Sequence, residues 1–219
     1  MSAPVITIDG PSGVGKGTVS AYLAKALGWH YLDSGALYRI LGYAADQGKI
    51  DFEDESALLD IIEQADIRFS EGAHLNGSNV EGFIRNETAG DHASRVAKHP
   101  KVRHAMLGLQ HDFQQAPGLV ADGRDMGTTI FPESAYKFYL IADAEERAKR
   151  RCKQLKEKGL DGNIGALFRD IQQRDERDMN RSDSPLCPAK DAIIIDTSLL
   201  SIDEVLEEVM KHLPYKVSI

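Results

Sequence analysis

Five short apolar runs punctuate the chain: Val5–Ile8, His30–Leu32, Leu119–Ala121, Phe138–Ile141 and Ala192–Ile195. None alternates apolar with polar residues, as strands covered on both faces of a parallel sheet require. Asp9, Asp33, Asp122 and Asp196 follow four of the runs directly or closely, and Asp143 follows the fourth run at two residues' distance. Between the runs the apolar period lengthens to that of a helix: Val19, Tyr22, Leu23, Ala26 and Leu27, then Leu37, Leu41 and Ala44. Asp143 with Glu146 predicts a capped helix running to about Lys158. Ser201 with Glu204 predicts a second, carrying Val205, Leu206, Val209, Met210 and Leu213. Alternating strands and helices predict an α/β fold of three layers, α/β/α, around a parallel sheet of about five strands.

Two stretches break this rhythm. Residues 65–92 hold short alternating segments (Ile67, Phe69; Val80; Phe83, Ile84) and the turn dipeptide Asn76-Gly77, which predicts a small antiparallel insert. Residues 145–181 are densely charged and contain Gly159, Gly162 and Gly165, which reads as two helices joined by a flexible tip. The expected organisation is one domain over 1–219, with the insert at 65–92 and a helical lid over 145–185.

Composition narrows the function classes. The chain has 219 residues and a formal net charge of −8, against the basic excess of a nucleic-acid-binding surface. The two cysteines, Cys152 and Cys187, form neither a CxxC pair nor a zinc pattern. No signal-peptide pattern opens the chain and no apolar run is long enough to span a membrane, so a cytoplasmic location is expected. The histidines form no catalytic set.

The chemistry begins at Gly10-Pro11-Ser12-Gly13-Val14-Gly15-Lys16-Gly17-Thr18, between the first strand and the first helix. That is the context in which a P-loop binds phosphate. Its glycines let backbone N–H groups turn inward as an anion nest, the helix N-terminus adds a favourable dipole, and Lys16 brings a mobile positive charge to the β- and γ-phosphates. The common form of the motif places Ser or Thr directly after the lysine. Here Gly17 intervenes, so the hydroxyl belongs to Thr18, which is the candidate Mg²⁺ ligand, the ion otherwise being held through water. The GKGT ending is typical of nucleoside monophosphate kinases.

Three further clusters should lie beyond the carboxyl ends of the strands, where open α/β sheets bind ligands. In Asp33-Ser34-Gly35-Ala36-Leu37-Tyr38-Arg39, Ser34 can cap a helix and Arg39 can reach a phosphate with its two-pronged guanidinium. In Ala121-Asp122-Gly123-Arg124-Asp125-Met126-Gly127-Thr128, the glycines permit tight turns, Arg124 offers a donor fork, and Asp122 occupies the place of the second Mg²⁺-linked acid of P-loop proteins. In Arg174-Asp175-Glu176-Arg177-Asp178-Met179-Asn180-Arg181, helical spacing puts Arg174, Arg177, Asp178 and Arg181 on one broad face. Each run also has a plain reading as a cap, a polar loop or a solvated helix face. Together they suit phosphoryl transfer, which needs alignment, positive charge and exclusion of water.

GPSGVGKGT, DSGALYR, ADGRDMGT and RDERDMNR, in this order and spacing, resemble the bacterial cytidylate kinase family over nearly the whole chain. The resemblance implies transfer of a phosphoryl group from ATP to CMP or dCMP with Mg²⁺. It implies that Ser34, Ser94, Arg103 and Asp125 read the cytosine. Arg39 and Arg124 would hold the acceptor phosphate, and Arg174 and Asp178 the ribose. Lys16, Asp122, Arg124 and Arg181 would form the catalytic set, and Arg150 would join the P-loop in binding ATP. A monomer with nucleotides as its partners is expected. Three other readings stand beside this one at the level of sequence. They are a kinase for another monophosphate, a GTPase with Asn180-Arg181-Ser182-Asp183 as a loose guanine motif, and a nucleic-acid-dependent ATPase.

Overall fold

The computed structural model describes residues 2–69, 72–157, 159 and 161–214. The chain packs as two compact units, one of residues up to 32 with those from 113 onward, the other Asp33–Asp112.

The first unit is built on a five-stranded parallel sheet in the order β2-β6-β1-β7-β8. Its strands are β1 (Val5–Asp9), β2 (His30–Asp33), β6 (Leu119–Gly123), β7 (Tyr136–Ile141) and β8 (Ile193–Asp196). All five predicted runs are strands. Every residue of β1 and β6 is buried, so the absence of alternation does reflect a sheet covered on both faces. Ile6, Ile8, Val120, Phe138 and Leu140 pack with Val19 and Leu23 of α1 (Lys16–Leu27) and Val205, Leu206 and Val209 of α9 (Ile202–Lys211). The predicted capping box of α9 forms: Ser201 Oγ accepts the Glu204 N–H at 3.3 Å, and the Glu204 carboxylate accepts the Ser201 N–H at 2.8 Å.

Strand register sets up the chemistry. Asp9 of β1 lies level with Gly123 of β6, the two strands running parallel. The segments that begin at Gly10 and at Arg124 therefore leave neighbouring strands at the same height.

The charged stretch forms α7 (Ala144–Glu157) and α8 (Ile164–Met179), which bury Ala148, Cys152, Leu167 and Ile171 between them. The expected helix end at Lys158 lies outside the described residues. Gly165, expected in the connecting tip, is already in the first turn of α8, whose N-cap is Asn163.

In the second unit, α2 (Ser34–Gln47), α3 (Glu55–Gln64), α5 (Glu87–Val96) and α6 (Pro100–His111) accompany a three-stranded antiparallel sheet of β3 (Ile67–Phe69), β4 (Ala73–Leu75) and β5 (Ser78–Asn79). Asn76 and Gly77 both have positive φ, 50° and 79°, and close the β4–β5 hairpin as expected. Phe83 and Ile84 are not strand residues. They lie in the short helix α4 (Glu81–Ile84), where Ile84 joins Ala36, Ile40, Ala73 and Val80 in the core. Ser70 and Glu71 of the predicted insert lie outside the described residues.

Replacing Ser201 by Ala is expected to cost about 1 kcal/mol of stability while leaving turnover unchanged. Denaturant titration alongside initial rates will check this, and an unchanged midpoint would show that the cap contributes nothing.

Candidate active site

The P-loop runs from the end of β1 into α1. Gly10, Gly13 and Gly15 have φ of 146°, 81° and 95°, conformations that favour glycine. A Cβ on Gly10 would also stand 2.2 Å from the Leu140 carbonyl oxygen, so no side chain is tolerated there. Gly15, rather than a Ser or Asp, is the N-cap of α1, so that the helix start has no side-chain cap. An oxyanion is the natural partner for such an end. Lys16 Nζ donates to the Pro11 carbonyl at 3.0 Å, which folds the lysine back over the loop. Thr18 is exposed in the first turn.

β6 delivers the second segment. Asp122, nearly fully buried, accepts the Tyr31 hydroxyl at 2.6 Å through Oδ2. A Cβ placed on Gly17 would stand 3.9 Å from that same oxygen, so the carboxylate sits beside the start of α1. Beyond Gly123 the chain enters a single π-helical turn, Met126–Ile130, with the buried Asp125 at its head. Asp9 fastens this turn to β1, accepting the N–H groups of Met126 at 2.9 Å and Gly127 at 2.8 Å. The glycines here serve close approach rather than tight turning, for neither has a positive φ. A Cβ on Gly127 would meet Thr7 Oγ1 at 2.9 Å, and one on Gly123 would meet the Met126 side chain at 2.9 Å.

The third segment converges on the second. Asp178 of α8 is almost fully buried and takes the Nε–H of Arg124 at 2.9 Å on one oxygen and the guanidinium of Arg181 on the other. Burial alone would raise its pKa. The fields of Arg124, Arg181 and Arg174 and the Arg124 hydrogen bond outweigh that and hold it down at about 2. Arg124, whose charge burial opposes, is held charged by Asp178, Asp175 and Asp122. Arg124, Arg174, Asp178 and Arg181 are thus assembled as one charged group. Arg181 does not share the helix face predicted for it, because α8 ends at Met179 with Asn180 as its C-cap. It reaches Asp178 from beyond the helix end. The same boundary disposes of the loose guanine motif, since Asn180 ends a helix and Arg181 is spent on Asp178.

In the second unit, Asp33 rather than Ser34 caps α2, its Oδ1 accepting the Ala36 N–H at 3.0 Å. Ser34 is the first helical residue and is buried. The other oxygen of Asp33 pairs with Arg85, which also binds Glu81 at 2.6 Å. Arg39 Nη1 donates to the carbonyls of Ile84 and Asn86 at 2.9 and 3.1 Å. Arg103 is buried with its guanidinium 5.6 Å from the centre of the Tyr38 ring, and Ser94 is buried on α5.

Arg150, expected at ATP, donates to the carbonyls of Thr197, Ser198 and Leu200, that of Ser198 at 3.3 Å, and the Thr197 hydroxyl donates to the Val14 carbonyl of the P-loop at 3.1 Å. Arg147 touches the P-loop, donating to the Ser12 carbonyl at 3.1 Å. Sequence reasoning missed Arg147 because seven basic residues lie within 144–158 and nothing local distinguishes this one. It missed Asp9 as a fastening group for the same kind of reason: its partners lie more than a hundred residues away.

A glycine-rich loop between a strand end and a helix start, with a guanidinium cluster at the end of the neighbouring strand, marks a P-loop phosphotransferase. The family model described as cytidylate kinase matches residues 6–214. A cytidylate kinase of Shewanella denitrificans is 50% identical over 98% of this chain and 98% of its own. One of Colwellia psychrerythraea is 52% identical over 95% of both chains, and one of Aeromonas hydrophila 50% identical over 96% of this chain and 94% of its own. The chain belongs to the cytidylate kinase family.

Two buried acids give opposite pH signatures. Asp178, held at about 2 against an ordinary 3.8, contributes stability that is present above pH 3.8 and lost as pH falls toward 2. Asp9 is pushed up to about 7, mainly by burial and also by nearby Asp125, against the lowering effect of its two N–H partners and Lys16. Folding therefore favours its neutral form, and stability falls as pH rises from about 4 to 7, by on the order of 2 kcal/mol between pH 5 and pH 8. Urea titrations of the wild type and Asp9→Asn at those two pH values will read this. The variant is expected to lose less on going to pH 8, and an identical loss would refute the assignment.

Proposed function

We propose that the γ-phosphoryl group of ATP, bound by Gly10–Thr18, passes to the phosphate of CMP or dCMP under the guanidinium groups of Arg124 and Arg181. The observation that carries this site map is the buried Arg124–Asp178–Arg181 cluster, at the end of the strand beside the P-loop strand. The overall reaction of a cytidylate kinase is ATP plus CMP or dCMP giving ADP plus CDP or dCDP. The acceptor phosphate is already ionised near neutral pH, so no general base is called for, which agrees with the lack of a catalytic histidine set. The protein's task is alignment and stabilisation of charge. Lys16 neutralises the β- and γ-phosphates, Arg39 and Arg124 hold the acceptor phosphate, Arg181 faces the migrating phosphoryl, and Arg174 with Asp178 receives the ribose.

Base choice follows from hydrogen-bond polarity. The exocyclic amine of cytosine donates, and the buried carboxylate of Asp125 accepts, whereas uracil presents a carbonyl oxygen at that position. Ser34, Ser94 and Arg103 complete the reading of the ring. Pairing of this kind discriminates strongly, because the wrong base leaves buried polar groups unpaired.

The residues beside the P-loop suit Mg²⁺. Asp122 offers a hard oxygen next to the start of α1, and among the described residues no set of three or more His, Cys, Asp or Glu is arranged to hold a metal. Such a site fits an ion that takes most of its ligands from water and nucleotide phosphates. Thr18, and Asp122 through water, would hold it, and the bound ion would neutralise charge on the β- and γ-phosphates.

The same reading makes residues 65–92 part of the monophosphate-binding region and residues 145–185 a lid that excludes water. The enzyme would act as a monomer in the cytoplasm without nucleic acid. The net charge of −8 and two cysteines outside any disulfide support this, and among the described residues no helix is long and apolar enough to cross a membrane.

The test is ADP release from ATP with a panel of monophosphates. CMP should be turned over far more efficiently than UMP, and equal kcat/KM for the two would remove the role given to Asp125. Arg39→Ala, Arg124→Ala and Arg181→Ala should each lose about 10²- to 10³-fold in turnover while remaining folded. Wild-type rates in all three would overturn the site map.

A further inference from the structure

Arg147 sits one turn into α7 and is 5% exposed, yet none of the phosphate-binding motifs includes it. Its guanidinium has three anchors. Nη1 donates to the Ser12 carbonyl of the P-loop at 3.1 Å, Nε to the Ala142 carbonyl after β7 at 3.0 Å, and Nη2 pairs with Asp175 Oδ2 of α8 at 2.6 Å. The P-loop also rests on the stem of the side chain, since a Cβ on Gly13 would meet Arg147 Cβ at 3.2 Å. Asp175 is itself buried. Its Oδ1 meets no hydrogen-bond donor among the described residues, so the pairing of Oδ2 with Arg147 offsets the cost of burying this carboxylate. Asp175 lies three residues before Asp178 on α8, close to one helical turn, and its charge is felt by Arg124. A continuous line of buried polar contacts thus runs from Ser12 through Arg147 and Asp175 into α8, and from Asp178 of that helix to Arg124 and Arg181.

We propose that Arg147 and Asp175 are a positioning pair that fixes the helix bearing the acceptor-side charges at a set distance from the donor P-loop. Neither touches a reacting atom. This rests on the reading of Arg124, Asp178 and Arg181 as the acceptor side. In-line transfer is sensitive to small errors in separation, and a displacement near 1 Å can cost about 10²-fold in rate. An error of that kind appears in kcat, because each nucleotide still meets its own binding groups.

Arg147→Lys keeps the charge but loses the planar fork that satisfies three acceptors at once. Asp175→Asn keeps the shape and loses the charge. Initial rates of the full chain, with ATP and CMP varied in turn, should show kcat lowered about 10- to 100-fold in each single variant, with both KM values within about threefold of wild type. The double variant should lose no more than the worse single variant, because the two act as one unit. Thermal unfolding, with assays run well below each midpoint, separates this from loss of fold. A rise in KM for ATP confined to Arg147→Lys, with Asp175→Asn at wild-type kcat, would show that the arginine serves the nucleotide directly and would overturn the proposal. Lowered stability with unchanged kcat in both variants would overturn it too. Failure of the underlying site map is distinguishable, because Arg124→Ala would then keep its full rate.

Discussion

The charges of Arg124, Arg174 and Arg181 gather on one buried carboxylate, Asp178. Like charges repel, and an unpaired buried charge costs several kcal/mol. The fold meets this constraint with carboxylates that are themselves buried. Asp178 takes Arg124 on one oxygen and Arg181 on the other, and Asp175 takes Arg147. An acidic chain that handles polyanions is therefore consistent. Part of its negative charge holds the positive groups in place, and those groups in turn hold the Asp178 carboxyl down at about 2.

The sheet turns this electrostatic arrangement into geometry. Parallel pairing of β1 with β6, with Asp9 level with Gly123, brings the phosphate loop and the Arg124 segment out side by side. Asp9 then anchors the Met126–Ile130 turn through two backbone N–H groups, and Gly127 lets that turn come close enough to be anchored. Three links share one logic: a strand end sets the height, a buried carboxylate sets the orientation, and a glycine removes the obstacle.

Much of this was legible from the chain alone. The five strands could be read because burial on both faces leaves uninterrupted apolar runs, and the P-loop because its glycines, lysine and flanking elements coincide. The helices over 55–64 and 87–96 were less legible. The buried face of the second consists of Ala89, Gly90, Ala93, Ser94 and Val96, small residues that make a weak apolar stripe. Small residues serve there because α2 and α5 come close, a Cβ on Gly42 having to stand 2.7 Å from that of His92. In the site, local motifs identified the arginines but not their partners. The pairing of Asp33 with Arg85, the fastening of Asp9 and the pairing of Arg147 with Asp175 depend on which segments meet, and spacing along one segment carries no such information.

The account makes the acid an organiser of the site, and simple charge counting makes the opposite prediction. Removing a carboxylate beside three arginines would, on charge alone, tighten the binding of a dianionic nucleotide. If Asp178 instead holds Arg124 and Arg181 in place and receives the ribose, its loss scatters the cluster. Calorimetric titration of CMP into folded wild type and Asp178→Ala tests this directly. Binding weakened by about tenfold or more, equivalent to roughly 1.4 kcal/mol, is the result expected. Unchanged or tighter binding would contradict the account.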